Sequence, residues 1–240
     1  MTSFTERGFF GDAIFGAIPQ GWIDASDLRE IPDHQEVFLS PSTLSSLIIE
    51  INQRVSDEDA RSMAQRISSA SSAAEEDPEA VVDKAAALYH LNDICEEGDL
   101  MHILTPPQRV RLPKFPSSSG TAYRGVVCFE TTNRRQRGNV HNTSSSTNNT
   151  TPHPLPSPPF TTNGAVAGSS TARSSRAGCH FLLVRLAEQE TDLLVVVNVP
   201  HDEFDSRGDE RGLNAEEALG AAMVAKIVET LDVRNWGLFV

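Results

Sequence analysis

Two apolar runs in the last third of the chain constrain the fold more than any other feature. HFLLVRL spans residues 180–186 and DLLVVVNV spans residues 192–199, and only AEQET separates them. A gap of that length is typical of a β-hairpin, so the two runs are predicted to pair. Because neither run alternates regularly between apolar and polar residues, both faces of each strand should be buried. The hairpin is therefore expected at the centre of a sheet that is covered on both sides.

Three further segments are predicted to be strands of this sheet. EVFL at 36–39 is short and rich in residues that favour strands. LSSLIIEIN at 44–52 alternates, with Glu50 on the opposite face from its main apolar stripe. YRGVVCFE at 123–130 has a similar period of two. An acid in the middle of such a strand must face water or find a donor, because burying it unpaired costs several kcal/mol. Glu50 is thus either a solvated sheet-edge residue or a residue that faces a partner.

Two amphipathic segments are predicted to be the covering helices. The first, at 78–97, follows the Asp-Pro pair at 77–78, which supplies an N-cap and a proline at the first helical position. The second, at 215–231, begins after Asn214, and Glu217 stands at capping-box spacing from it. Both segments carry one apolar stripe at helical spacing. The fold class predicted from these elements is α/β of the α+β type.

A polar segment interrupts the pattern of strands and helices. Residues 131–178 consist largely of Ser, Thr, Asn, Pro and Gly with few large apolar groups. Such a segment buries too little surface to offset its ordering entropy, so it is predicted to be a disordered loop. It lies between two predicted strands, and loop-closure entropy grows slowly with length. The chain is therefore predicted to be a single domain over 1–240 with 131–178 as an internal insertion.

The charge of the chain limits its partners. The formal net charge is −13 and the isoelectric point is about 4.9. This balance argues against nucleic acid as the main partner, because nucleic-acid binding depends on Lys and Arg at phosphates. It permits steering toward a basic protein, although it is also consistent with solubility alone. The longest apolar run is too short to span a bilayer, and no secretory signal is visible. The three widely spaced cysteines suggest reduced thiols. A soluble intracellular protein with no membrane partner is expected.

No pattern of residues predicts catalysis. G-x-S-x-G, the P-loop, G-x-G-x-x-G and H-E-x-x-H are all absent from the sequence. Asp33, His34 and Glu36 are close together, but their spacing is not that of a metal site. We therefore expect no enzyme activity, no metal and no cofactor.

The most heavily charged stretch, DASDLREIPDHQEVFLS at 24–40, precedes the first predicted strand and continues into it. It reads either as a solvated loop or as a surface that meets a basic partner. For Asp24 and Asp33 the alternative to a contact role is that each caps a turn, as Asp often does.

Four stretches together resemble the Mog-type nuclear import proteins, the Ran guanine-nucleotide release factor family. They are FFGDAIFGAIPQGWIDASDLREIPDHQEVF at 9–38, SLIIEI at 46–51, LYHLNDI at 88–94 and LVRLAEQETDLLVVVNVP at 183–200. The resemblance implies a three-layer sandwich, a largely antiparallel sheet between helices, of the Mog/PsbP-like type. The long insertion departs from that pattern, as does Asp12, which stands where a second glycine is expected.

The resemblance also implies a function. It implies a monomeric, non-enzymatic binder of the small GTPase Ran that promotes release of bound GTP, supports nuclear protein import and is present in nucleus and cytoplasm. The resemblance also allows other Ran-binding proteins as further partners. The partner-binding residues that it implies are Asp24, Asp27, Asp33, Glu36, Glu50 and Gln53. Gln53 stands where the family can carry a second acid. The alternative is a PsbP-like binding module with a different protein partner.

Overall fold

The computed structural model describes residues 2–68, 77–95, 98–115, 120–132 and 174–239. Ten strands and four α-helices make up the described part. In chain order they are β1 (Phe4–Phe9), β2 (Ile14–Pro19), β3 (Ile23–Asp24), β4 (Gln35–Leu39), β5 (Ser46–Gln53), α1 (Asp57–Ser68), α2 (Pro78–Asp93), β6 (Asp99–Val110), β7 (Thr121–Thr132), β8 (Ser174–Leu186), β9 (Thr191–Pro200), α3 (Asp202–Asp205), α4 (Glu210–Thr230) and β10 (Asp232–Val233).

The main sheet has seven antiparallel strands in the order β3-β4-β5-β9-β8-β7-β6. The predicted hairpin forms its centre: β8 pairs with β9 from Ala177↔Pro200 to Leu186↔Thr191. Every residue from Cys179 to Leu186 is buried, as expected for strands covered on both faces. The prediction that 44–52, 123–130, 180–186 and 192–199 share one sheet is therefore confirmed.

Two apolar cores lie on opposite faces of this sheet. On one face, α1 and α2 pack through residues such as Met63, Leu88 and Leu91 against Phe181 and Leu183. On the other face, α4 and a small sheet of order β1-β2-β10 cover a second core, whose members include Ile14, Leu182, Val195, Met223 and Ile227. Strand periodicity sends alternate side chains to alternate cores. The result is the predicted three-layer α+β sandwich.

The predicted helix boundaries need correction. Helix α2 begins after Asp77, whose carboxylate accepts the amide of Glu79, as predicted, but it ends at Asp93 and not at residue 97. Helix α4 begins at Glu210, several residues before the predicted start at 215, because the carboxylate of Asp209 caps it by accepting the amide of Gly212. The capping-box spacing was misleading.

The predicted insertion coincides partly with regular structure. Strands β7 and β8 pair along their whole length, from Thr121↔Arg185 to Thr132↔Ser174. Residues 131–132 and 174–178, at the two ends of the segment predicted to be disordered, are thus strand residues. Residues 133–173 lie outside the described part of the chain, so the single domain with an internal insertion remains a prediction.

Strands β1, β2 and β6 were not predicted from the sequence. Strands β1 and β2 are short and rich in Gly and Phe, and they form a sheet of their own with β10. Strand β6 contains Pro106 and Pro107, which cannot donate to a ladder and argue against a strand. It tolerates them because, among the described strands, it pairs with β7 alone and so forms an edge of the sheet, and because its register shifts between Ile103 and Thr105 and again before Gln108.

Candidate partner-binding surface

The residues assigned to a partner lie on the three strands nearest the β3 border of the main sheet and in the turns around them. We call the surface formed by β3, β4, β5 and the turns around them the acidic edge; its members are Asp24, Asp27, Asp33, Glu36, Glu50 and Gln53. Asp27, Asp33 and Gln53 are exposed, whereas Asp24, Glu36 and Glu50 are half-buried and have defined partners. The contacts of Asp24, Glu36 and Glu50 therefore define most of the geometry of this surface.

Asp24 is held by two elements at once. It ends β3 and caps the short 3₁₀ helix that follows, accepting hydrogen bonds from the amide of Ser26 at 3.0 Å and from its hydroxyl at 2.6 Å. Arg7 of β1 donates to it at 2.8 Å. Partial burial pushes the pKa of Asp24 upward, but the bonds from Ser26 and Arg7 outweigh it and leave that pKa below its usual value. Asp24 is therefore a turn cap and a fixed negative charge together.

Glu36 points toward the β1–β2 turn. Its Oε1 accepts the backbone amide of Phe10 at 2.5 Å. In that turn Phe10, Gly11 and Asp12 all have positive φ, and Asp tolerates this left-handed conformation better than most residues. Asp12 can thus stand at a position where glycine is expected. Burial raises the pKa of Glu36, and the charge of Asp24 adds to the effect against the opposing bond from Phe10.

Glu50 occupies the middle of β5, between β4 and β9, so it is not at a sheet edge as one alternative had it. Its register partner in β4 is Gln35, whose side-chain amide donates to it at 3.0 Å. Nε2 of His34 lies 3.6 Å from the same oxygen, and the Glu50 side chain keeps 20% of its surface exposed. The acid has thus found a donor while one side of it remains open to a partner.

The two strand acids project from opposite faces of the sheet. Residues directly opposite one another in an antiparallel pair share a face. Glu36 lies opposite Ile49, which belongs to the α4-side core, and Glu50 shares its face with Ile48, which packs on the α1–α2 side. The structure brings Asp24 and Glu36 together beside Arg7, but it does not bring Glu50 to that cluster. The acidic edge therefore wraps around the sheet.

The exposed members lie in turns and at a strand end. Asp27 belongs to the 3₁₀ helix that Asp24 caps. Asp33 is in the turn before β4, which is closed by the amide of Gln35 donating to the carbonyl of Pro32 at 2.9 Å. Gln53 is the last residue of β5 and lies opposite Thr191. None of these three has a side-chain hydrogen bond to another residue that the structure describes, so their side chains are open to solvent.

A buried ion-pair network fixes the chain just beyond Gln53. Arg185, only 2% exposed, donates to Asp192 at 3.1 Å, to Asp83 at 2.8 Å and to the carbonyl of Val55 at 2.6 Å. Asp192 in turn accepts the amide of Val55 at 2.9 Å and contacts His90 at 2.9 Å. Both backbone polar groups of Val55 are therefore held by buried charges. The network ties the end of β5 to α2 and to the central hairpin.

Sequence reasoning missed the partners of these acids. Gln35 could have been found, because a hairpin of β4 with β5 fixes which residue lies opposite Glu50. Arg7 could not, since β1 was not predicted. His180 of β8 and His201 both bind Glu217 of α4, at 2.6 and 2.7 Å, and no local pattern indicated this cluster. On α2, Tyr89 is exposed, whereas the neighbouring His90 reaches the buried network.

No group of three or more His, Cys, Asp or Glu side chains among the described residues is arranged to hold a metal ion. No helix in the part of the chain that the structure describes is long and apolar enough to cross a membrane.

The fold and the surface define a three-layer α+β domain with an acidic sheet edge. The chain belongs to the family described as Ran-interacting Mog1 protein, whose model matches residues 7–200. Among solved structures, it is similar to the Saccharomyces cerevisiae Ran-binding protein Mog1p, with a TM-score of 0.54 at 19% identity over 100% of both chains. A mutant of protein Mog1 gives a TM-score of 0.53 at 18% identity, covering 99% of this chain and 100% of that one. At such identity these likenesses concern the fold alone.

Curated relatives match over shorter lengths. The Ran guanine nucleotide release factor of Homo sapiens is 55% identical over 42 residues, which are 18% of this chain and 23% of that protein. The nuclear import protein mog1 of Schizosaccharomyces pombe is 32% identical over 91 residues, or 38% of this chain and 36% of that protein. The matches thus span about a quarter to a third of the relatives' length.

Proposed function

We propose that this protein binds the small GTPase Ran through the acidic edge and promotes release of bound GTP, in support of nuclear protein import. Membership of a Ran-interacting family supports the partner, and the names of the relatives support nucleotide release and import. The single observation that carries the proposal is the half-open carboxylate of Glu50, held by Gln35 in a strand that the buried network anchors. We further propose a monomer without enzyme activity, present in nucleus and cytoplasm.

Release of a nucleotide requires differential binding. A release factor must bind nucleotide-free Ran more tightly than nucleotide-bound Ran, because equal affinity for the two states shifts nothing. Carboxylates suit this task, since they can engage basic or backbone groups that otherwise serve the phosphates. The net charge of −13 also favours fast encounter with a basic surface, an effect that salt screens.

Charge variants of Glu50 test the proposal. Glu50→Gln keeps an acceptor for Gln35 but removes the charge, and Glu50→Lys reverses it. If the carboxylate is buried against a cation of Ran, Glu50→Lys should weaken binding by about 2–5 kcal/mol, which is roughly 30-fold or more in Kd. Release of fluorescent GTP from Ran should slow in parallel. Glu229→Lys on α4, an exposed acid beside Lys226, is the matched control and should behave like the unchanged protein.

The two faces of the acidic edge are tested separately. Glu36→Gln removes charge on the α4 side, and Glu50→Gln removes it on the α1–α2 side. Weakening by both indicates that Ran wraps around the edge, and weakening by one assigns a face. Full release activity in folded Glu50→Lys removes Glu50 from the interface. The same result for Glu36→Lys would dispose of the acidic edge altogether.

A further inference from the structure

The β6–β7 hairpin has a charge opposite to that of the chain as a whole. Residues 100–129 contain no Asp or Glu, although the full chain has 33 acidic and 20 basic residues. Arg109, Arg111, Lys114 and Arg124 lie within that stretch. An acid-free stretch of this length in so acidic a chain concentrates positive charge in one place.

These cations are left without counter-charges. Several other exposed cations of the described chain pair with acids, as Arg176 does with Asp205 at 3.1 Å and Arg234 with Glu6 at 3.1 Å. The four on the hairpin are exposed, and their side chains form no ion pair with any residue that the structure describes; they are Arg109, Arg111, Lys114 and Arg124. We call this group the basic edge. Unpaired exposed charges on a shared element leave a positive field for a partner to use.

The basic edge is at the far side of the sheet from the acidic edge. In the strand order β3-β4-β5-β9-β8-β7-β6, strand β6 is one border and β3 the other. At about 4.8 Å per strand, β4 and β6 are roughly 24 Å apart. Arg109 shares a face with Tyr123 on the α2 side, whereas Arg124 shares a face with Leu182 on the α4 side. The cations therefore flank both faces of a free sheet edge.

Apolar surface adjoins these charges. A cavity of about 270 Å³ is lined by Arg109 and Arg111 together with Val110, Leu112 and Phe115. Phe115 also packs edge-on against Trp236, with ring centroids 5.9 Å apart. A ligand that combines carboxylates with an apolar side chain would match both features.

We propose that the basic edge docks an acidic protein segment that carries an apolar side chain. The positive charge of the basic edge favours a partner segment with negative charge, and the cavity can accept its apolar side chain. The chain as a whole disfavours a long, uniform polyanion such as nucleic acid, because such a ligand extends beyond the patch into the repulsive field of the remaining surface. The inference goes beyond Ran binding, since it concerns the opposite border of the sheet and needs no GTPase.

Binding of a defined peptide to the full chain tests the proposal. The probe is a fluorescein-labelled ten-residue peptide of Glu with one central Phe, followed by fluorescence anisotropy at low salt. Arg109→Glu/Arg111→Glu should weaken binding at least about tenfold, and added salt should weaken binding to the unchanged protein. The matched control is Arg29→Glu/Arg211→Glu, which makes the same change at two exposed cations outside the hairpin and should stay within about twofold.

The remaining outcomes also decide the matter. Equal loss in the control double variant would show that net charge alone drives binding, and absence of binding by the unchanged protein would overturn the proposal. Tighter binding of a labelled ten-nucleotide single-stranded DNA would assign the edge to nucleic acid instead. Aggregation of Arg109→Glu/Arg111→Glu without peptide binding by the unchanged protein would show that the cations only protect a sheet edge. Since Ran is absent from the assay, failure here leaves the proposed release activity untouched.

Discussion

Replacing Arg185 by Met should be among the most damaging single changes in this protein. The guanidinium joins Asp83, Asp192 and the carbonyl of Val55, and it is 2% exposed. Met fills similar volume but leaves two buried carboxylates short of a donor. Removing one partner from a buried charge pair costs about 3–5 kcal/mol. Against a total stability of about 5–15 kcal/mol, such a loss should be plain in urea unfolding and should lower Tm by roughly 6–20 °C.

Two comparisons make the Arg185 prediction refutable. Lys226→Met breaks only an exposed pair with Glu229 and should change the free energy of unfolding by less than about 1 kcal/mol. Asp83→Asn should cost less in the Arg185→Met background than alone, because the uncompensated charge is then already present. A loss below about 1 kcal/mol for Arg185→Met, or strict additivity of the pair, would show that the network does not hold α2 and β5 together.

Two further predictions concern stability. The pKa of Glu217 is pushed up by partial burial but lies below its usual value because His180 and His201 bond to it. The contribution of Glu217 to stability should therefore be complete above its pKa in the unfolded chain and be lost as the pH falls through its pKa in the folded protein. Glu217→Gln should flatten this acid limb of the stability–pH curve. An unchanged acid limb would contradict the role given to the Glu217 carboxylate. Exchanging 134–172 for a short Gly/Ser turn should leave Tm within a few degrees, because the β7–β8 ladder already reaches Thr132↔Ser174; a large drop in calorimetry would mean that the exchanged residues pack on the core.

Some elements could be predicted because one local signal sufficed. The β8–β9 hairpin follows from runs that are apolar at successive positions, which only a doubly covered sheet can bury. The start of α2 follows from Asp77 and the proline after it. For α4, two signals competed: Asn214 and Glu217 have capping-box spacing, yet Asp209 caps the helix and Glu217 is used by two histidines. Spacing alone cannot show which of two caps tertiary structure selects.

The candidate site was predictable only in part. Strand alternation placed Glu50 off the apolar stripe of β5, and the structure shows it partly exposed there. That Glu36 and Glu50 face opposite sides depends on the register between β4 and β5, which the sequence does not state. The buried network could not be predicted from the sequence, because Arg185 and Asp83 are 102 residues apart and the intervening chain includes a long polar segment. Contacts of that kind arise from topology and not from local pattern.

The bond between Glu36 and the amide of Phe10 has a consequence for any partner. Phe10, Gly11 and Asp12 all have positive φ, and this backbone conformation orients the Phe10 amide toward Glu36. The amide is therefore in place before a ligand arrives. A cation that approaches Glu36 must share this carboxylate with Phe10 or displace it. In the second case the amide loses its acceptor and the β1–β2 turn has to rearrange or bond to the newcomer. The β1–β2 turn would then compete with the partner's cation for the Glu36 carboxylate. Because the turn belongs to the same chain, its effective concentration at Glu36 is fixed.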